Sequence, residues 1–452
     1  MLCRWPSHRP PFFTVFFNFS RIESIMTSIA SGSAPYSASP SLPSIAQLKR
    51  DLSRAQMRKR SMALALIAPL AIFLMITFVV PIGVLLARAV DNPEVATALP
   101  HTVKALADWD HQNAPADGAF IALAQDLTLA RKENSAATMA RRINSEIPGA
   151  RSVIMKTTRA MPLQDADGNA IPASGIKQAL IELDAHWGEP EYWRVIAKNG
   201  SHYSPYYLLA SVDLRQDSLG AIEKKPAGES AYQEIFGRTF LISLISTLCC
   251  LAIGYPLAYW ISTMPERRSN LFMILVLIPF WTSILVRVAS WIVLLQSEGL
   301  VNSALMAVGL THAPLELLFN RIGVYISMTH IMLPFMILPL YSVMKSIPPT
   351  YMRAAISLGS HPFAAFWRVY VPQTFPGIGA GSLLVFIIAL GYYITPALLG
   401  GPNEQMVSYY VAYFINVTLN WGMACALGAL LFAATLVLYG VYRRFTNNTV
   451  SM

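Results

Sequence analysis

Long uncharged apolar runs, separated by short clusters of Lys and Arg, dominate the chain. Ser61–Ala87 lies between Arg60 and Arg88. Thr239–Pro265 runs uncharged from Arg238 to Glu266. A third run begins after Arg268 and continues past Arg287 to Ser297. Ile322–Met344 lies between Arg321 and Lys345. Val369–Asn403 is uncharged but interrupted by Pro372, Pro376, Pro396 and Pro402, which narrows its expected helix to about Ile378–Leu398. The last run follows Glu404, reaches Tyr442 and is most apolar over Met423–Tyr442. Each run supplies the roughly 20 residues that carry a helix across bilayer hydrocarbon. The pattern predicts an all-α polytopic membrane protein with six transmembrane helices.

The basic clusters set the expected orientation. Lys49, Arg50, Arg54, Arg58, Lys59 and Arg60 hold the N-terminus in the cytoplasm. Alternation then places Arg267–Arg268, Lys345 to Arg368 and Arg443–Arg444 on the same side. Splitting the last run in two would put Arg443 and Arg444 outside, so six spans fit better than seven. Residues 1–60 are expected to form a disordered, basic, cytoplasmic tail, with Met26 as an alternative start. Residues 61–90 form the first span.

Residues 91–234 are patterned differently, as a soluble segment inserted between the first two spans. Asp126–Arg142 and Lys177–Trp187 read as helices and Gln164–Ala170 as a turn. This segment is expected to face the periplasm as a compact domain, either a spacer or a docking and gating surface. His101, His111, His186 and His202 are isolated in it, with no paired-ligand spacing, so no metal site is expected.

Composition sharpens the class. Hydrophobic residues make up 54% and charged residues 13%, against roughly 25% charged in soluble domains. This excludes an ordinary soluble enzyme and a disordered or fibrous chain. The net charge of +9 is unevenly spread: residues 91–234 carry 19 acidic and 14 basic residues, a net of −5, and the rest carries +14. The excess flanks apolar runs and forms no nucleic-acid patch. Cys249, Cys250 and Cys425 lie inside apolar runs, and with Cys3 they offer no disulfide framework.

The most informative stretch is Pro348–Gly377, PPTYMRAAISLGSHPFAAFWRVYVPQTFPG. Thr350 is placed to cap a helix. Tyr351, Ala354, Ala355 and Leu358 follow at helical spacing and give one apolar face. Gly359 suits a left-handed stop. Ser360 and Pro362 open a second short helix, which Pro372 is expected to end. A connector lying on the membrane surface would share this pattern. The small residues Ala354 and Ala355 favour close approach of a partner.

This stretch resembles the EAA loop of permease subunits of binding-protein-dependent ABC importers. Arg353, Ala354, Ala355, Gly359 and Pro372 occupy the Glu-Ala-Ala, Gly and Pro positions, with Arg353 replacing the usual Glu. Arg238–Ser262, Ile278–Asn302 and Gly391–Gly401 are similar to the spermidine/putrescine-type branch. The resemblance implies a type I importer permease (MetI-like) fold over residues 235–445, with the coupling loop at 346–376. It implies residence in a bacterial inner membrane with both termini cytoplasmic. The implied partners are a separate ABC ATPase, a second permease subunit and a periplasmic substrate-binding protein. Tyr351, Arg353, Ala354, Ala355, Leu358, Gly359 and Pro372 then form the ATPase-coupling loop. No GxxxxGK[ST] loop is present, so the chain is expected to be a non-catalytic subunit without a cofactor, ATP being bound by the partner.

Trp281, Arg287, Tyr392, Tyr393 and Asn416 are candidates to line the path. Arg287 is the one charge well inside an apolar run, a position that normally faces protein or water. The solute is expected to be small and polar, either a polyamine or an opine or other amino-acid derivative. No Asp or Glu lies mid-span to hold a cation. Two other classes share some features. A membrane sensor would need a large cytoplasmic domain, and a secondary transporter midplane carboxylates and repeated halves. Neither feature is visible.

Overall fold

The computed structural model describes residues 45–450, apart from 165–168, 218–220, 227 and 229. Most of the expected N-terminal tail, with Met26 and Cys3, lies outside the described residues. Two compact units divide the chain, 1–75 and 76–452. In the first, helix α1 (Ile45–Leu74) starts upstream of the uncharged run and carries the basic residues Lys49–Arg60 on its opening turns. A π-turn at Met75–Val79 leads into α2 (Val80–Arg88).

Residues 93–210 fold as short helices around their own apolar core. These are α3 (Pro93–Ala98), α4 (Pro100–Ala105), α5 (Asp117–Lys132), α6 (Ala136–Asn144), α7 (Ala150–Ala160), α8 (Ile176–Leu183), α9 (Pro190–Lys198) and α10 (Tyr206–Ala210). Phe120, Leu123, Leu127, Ile143, Trp187 and Trp193 are fully buried together. The indoles are also satisfied: Trp193 Nε1 donates to the Trp187 carbonyl at 2.8 Å, and Trp187 Nε1 to Thr157 Oγ1 at 2.9 Å. Buried aromatic N–H groups need such partners.

The helix expected over Asp126–Arg142 is two helices. Asn134 takes a positive φ of 57° between α5 and α6, a conformation Asn tolerates, and turns the chain. The helix expected over Lys177–Trp187 stops at Leu183, where the Asp184 side chain accepts from the His186 N–H and opens a 3-10 turn. The expected turn at Gln164–Ala170 is closed by an antiparallel bridge between its end residues. A hairpin of β1 (Leu214–Gln216) and β2 (Ile222–Lys224), with Arg215 opposite Glu223, leads to the transport helices.

Those helices are α11 (Tyr232–Thr263), α12 (Glu266–Leu277), α13 (Ile284–Leu295), α14 (Leu300–Ala307), α15 (Arg321–Ser346), α16 (Thr350–Ser357), α17 (Pro362–Ala365), α18 (Val371–Gln373), α19 (Phe375–Gly391), α20 (Ile394–Leu399), α21 (Val407–Asn416) and α22 (Trp421–Val450). Five described stretches are long and apolar enough to cross a membrane: Gln56–Arg88, Tyr232–Thr263, Ile284–Ala307, Arg321–Ser346 and Trp421–Arg444. The pair Pro362–Gln373 and Phe375–Gly391, bent by 59°, makes a sixth.

Helix α15 is the axis of this bundle. Met332, Met336, Ile337 and Leu340 on it are fully buried. Glycines on its neighbours let the backbones close in. A Cβ on Gly254 of α11 would meet Met336 at 3.1 Å, and one on Gly381 of α19 would meet the Met336 sulfur at 2.9 Å. Gly377 and Gly381, four residues apart, present a bare stripe to α15, as small residues do where membrane helices approach closely.

The third apolar run departs from the expected single helix. It breaks at a 3-10 turn, Ile278–Trp281, followed by extended Thr282 and Ser283. Pro279 lacks the N–H that would continue α12 and crowds the carbonyl behind it. Thr282 Oγ1 then bonds the Pro279 carbonyl at 2.8 Å, fixing the turn. Pro256, Pro334 and Pro339 stay inside their helices. The fifth run also stops early, at Gly391. Tyr392 and Tyr393 interrupt it before α20.

Candidate functional site

Two regions carry the candidate residues. The first spans 346–376. After α15, Pro348–Pro349 redirect the chain into α16, with Pro349 at the cap position and Thr350 as the first helical residue. Met352 turns inward and, like Ile347 and Phe366, packs against the buried core to which Tyr370 belongs. At the far end, the Ser360 N–H bonds the Ala355 carbonyl at 3.1 Å and the Gly359 N–H the Ile356 carbonyl at 2.9 Å. This double closure is the Schellman stop, and Gly359 takes the left-handed φ of 91° it requires. His361 caps α17, its Nδ1 accepting from the Phe363 N–H at 3.3 Å; Ser360, the expected cap, sits one residue earlier.

Pro372 does not end the second helix. A π-turn at Phe366–Tyr370 lengthens the register, so that the Val371 N–H reaches back to the Phe366 carbonyl, and α18 runs through Pro372 to Gln373. Such π-bulges absorb an interrupted hydrogen-bond ladder. Gln373 Nε2 bonds the Val369 carbonyl at 2.6 Å.

Aromatic rings tie this segment to α11. Tyr259 meets Phe366 at 5.2 Å and Tyr370 at 5.3 Å, and Phe366 stacks on Tyr370 at 5.6 Å and 18°. Tyr255 and Thr374 share a hydroxyl hydrogen bond at 3.2 Å. Lys345, ending α15, donates to the Ser262 and Met264 carbonyls at 3.3 and 3.1 Å, closing the C-terminus of α11 as a cation suits it. The opposite side is bare. Tyr351, Arg353, Ala354, Ile356, Phe363 and Trp367 are exposed, and Leu358 is 89% exposed. Ala355 is half-buried between the two sides.

The second region comprises the breaks in the spans. Trp281, 76% exposed, lies in the 3-10 turn. Arg287 lies one turn into α13; its Nε is enclosed and has no hydrogen-bond partner among the described residues. Tyr392 is half-buried against Val324, Met328 and Met406, and its hydroxyl is likewise without a partner. Tyr393 is exposed beside it, and Asn416 is exposed at the end of α21. These five side chains thus belong to three separate helix ends. A cavity of about 680 Å³ lies further along, between Leu295–Glu298 and Glu316–Asn320. Next to it, Arg321 Nε bonds Glu404 at 2.7 Å, and Gly400 and Gly401 leave no room for a Cβ against Glu404 and the Phe319 carbonyl.

Sequence reading passed over His330. It sits in the middle of α15, where its Nδ1 accepts from Trp291 Nε1 of α13 at 3.2 Å, with the rings 5.3 Å apart. A histidine inside the apolar run Ile322–Met344 was the available signal.

Broken helices around a glycine-packed axis, with a bent two-part helix projecting from one end, define a polytopic transport protein of the permease type. The model of the binding-protein-dependent transport system inner membrane component family matches residues 239–449. The spermidine/putrescine transport system permease protein PotB of Haemophilus influenzae is 36% identical over 208 residues, covering 46% of this chain and 73% of that one. Its Escherichia coli counterpart is 33% identical, covering 43% and 71%. A molybdenum transport system permease protein, ModB of Mycobacterium bovis, is 28% identical over 44% of this chain and 74% of its own length. The chain belongs to the binding-protein-dependent transport system inner membrane component family, as the EAA resemblance implied. Among solved structures, a bacterial alginate ABC transporter in complex with an alginate pentasaccharide-bound periplasmic protein is similar over 48% of this chain and 78% of that one, at 19% identity and a TM-score of 0.40.

Proposed function

We propose that this chain forms half of the translocation pathway of an ATP-driven importer and couples to a separate ATPase through residues 346–376. The observation that carries the reading is the two-sided build of that segment. One side is stacked onto α11 through Tyr259, Phe366 and Tyr370. The other leaves Tyr351, Ile356, Leu358, Phe363 and Trp367 uncovered, a contiguous type of apolar exposure that marks a protein contact. A partner pulling on this rim moves the spans, so ATP binding biases alternating access through contacts made in one state and not the other. In this reading Tyr351, Arg353, Ala354, Ala355, Leu358, Gly359 and Pro372 serve coupling. A second permease subunit completes the pore, a periplasmic binding protein delivers solute, and residues 91–234 face the periplasm as its docking or gating surface. Both termini lie in the cytoplasm of a bacterium, and ATP is hydrolysed by the partner.

The solute is small and polar. The PotB relatives favour a polyamine. A specific observation favours the amino-acid-derivative reading: Arg287 and His330 stand within the apolar runs, whereas Glu234, Glu266 and Glu298 lie at or beyond the ends of helices. Uptake into vesicles holding the complete complex, with and without ATP, tests the function. Crosslinking from an Ala355→Cys variant is expected to capture the ATPase. Ion-driven uptake by this chain alone would overturn the reading.

A further inference from the structure

The third apolar run of the sequence is interrupted near its middle, and what surrounds the interruption is chemically one-sided. Helix α12 rises for twelve residues to Leu277, about 18 Å at the α-helical rise. The backbone is then irregular to Ser283 before α13 begins. Thr282 and Ser283 are exposed there, as is Trp281. Irregular backbone at membrane depth does not face lipid; it is buried in protein or lines water.

Arg287 stands in the opening turn of α13, and Trp291 follows it on the same face four residues on. Trp291 hydrogen-bonds His330 of α15 through Nδ1. An Nδ1 that accepts leaves the neutral imidazole its proton on Nε2, as a donor. His330 is exposed, and its bond to Trp291 sets it against the face of α13 that also carries Arg287. Both groups present donors and no acceptor. The acidic residues near these helices lie at their ends: Glu234 bonds Arg238 at 2.9 Å, Glu266 opens α12, and Glu298 lies beyond the end of α13.

We infer that Arg287 and His330, braced by Trp291, form a water-accessible site for an anionic oxygen group, and that the transported solute carries a carboxylate. Helix openings inside broken spans suit the same charge. The inference rests on the permease reading and deepens it: the solute class moves from a pure polycation toward an amino-carboxylate. A charge-assisted bond of this kind is worth roughly 10- to 150-fold in affinity.

Charge-selective labelling tests the site without the solute in hand. In the assembled complex, with Cys3, Cys249, Cys250 and Cys425 replaced by Ser, His330→Cys is treated with thiosulfonates of matched size, one bearing a sulfonate and one a quaternary ammonium. The anionic reagent is expected to react at least about tenfold faster, the excess a focused cationic site produces, and Arg287→Gln should abolish that preference while Arg287→Lys keeps most of it. Protection by 4-aminobutyrate is then compared with protection by putrescine, in which an aminomethyl group replaces the carboxylate. Stronger protection by 4-aminobutyrate is expected, and stronger protection by putrescine overturns the carboxylate assignment. If neither reagent reacts, the site is covered and the inference falls, and loss of the second permease on purification of Arg287→Gln would reassign Arg287 to the subunit interface. Charge preference persisting without ATP-coupled uptake would sink the permease reading alone.

Discussion

The turn joining α16 to α17 depends on Gly359, and the structure isolates why. Its φ is 91°, and a Cβ built on it meets nothing within 4 Å. A Cβ there meets no clash, so the first penalty of a substitution is backbone strain. A left-handed conformation costs an L-residue about 1–2 kcal/mol. Asn tolerates it better than Ala, and β-branched Val worst of all. The strain is relieved by releasing the Ser360–Ala355 and Gly359–Ile356 bonds, which lets α16 swing away from α17. On the coupling reading, the docked orientation is then depopulated by about 5- to 30-fold, since 1.4 kcal/mol is tenfold. Titration of the purified ATPase onto the complex in nanodiscs should rank the variants Gly, Asn, Ala, Val from tightest to weakest, with insertion unchanged. The order is diagnostic because Asn is larger than Ala. Binding that declines with side-chain volume, with Asn below Ala, would refute the backbone argument, and equal binding by Val would remove the turn from the coupling surface.

Asp213 accepts the N–H groups of Ala231, Tyr232 and Gln233 at 3.0, 3.1 and 2.6 Å, at the start of α11. Asp213→Ala should cost about 2 kcal/mol, read as a lower melting temperature of the purified protein, while Asp213→Asn, which keeps an acceptor and tolerates the φ of 60° there, should recover part of it; an unchanged melt for Ala would show the cap to be dispensable. Glu146 is buried, which raises its pKa, but Arg142 and Lys198 at 2.9 Å with the Asn199 amide outweigh that and hold it below its ordinary value of 4.5. A depressed carboxylate contributes stability above its unfolded pKa and loses it as pH falls through the folded one. Fluorescence of buried Trp187 and Trp193 during denaturant unfolding should therefore show stability independent of Glu146 from pH 7 to 5 and declining below about 4.5, a decline that Glu146→Gln flattens; an equally steep decline in the variant would count against it.

Hydropathy and charge made the spans and the two-part helix legible because both are one-dimensional signals. The left-handed stop at Gly359 was readable for the same reason: only local chemistry sets it. Proline was an unreliable guide. Pro372 is absorbed by a π-turn, whereas Pro279 stands at a helix break, where the Thr282 hydroxyl bonds its carbonyl. Residue type alone does not decide between these outcomes; the fate of the freed carbonyl does. The Gly377 and Gly381 stripe was visible as a spacing, but its partner on α15 was not. His330 was missed because an isolated histidine carries no periodicity, and its meaning comes from Trp291, 39 residues away.

The two regions bear on each other through α11 and α15. A handle transmits displacement only if it is stiffer than what it moves. The Tyr259, Phe366 and Tyr370 cluster and the Lys345 bonds to α11 supply stiffness at one end. Toward the other, the third apolar run is broken at Ile278–Ser283 and the fifth at Tyr392–Tyr393. On the coupling reading, motion entering at α16 is delivered to α11 and α15 as a unit, and the breaks are where α13 and α20 would change their angle. His330 rides on α15 and Arg287 on α13, so their separation is the coordinate such rocking changes. On that reading, a site assembled from the rigid and the hinged element would open and close with the transport cycle, which a site built on either element alone would not do.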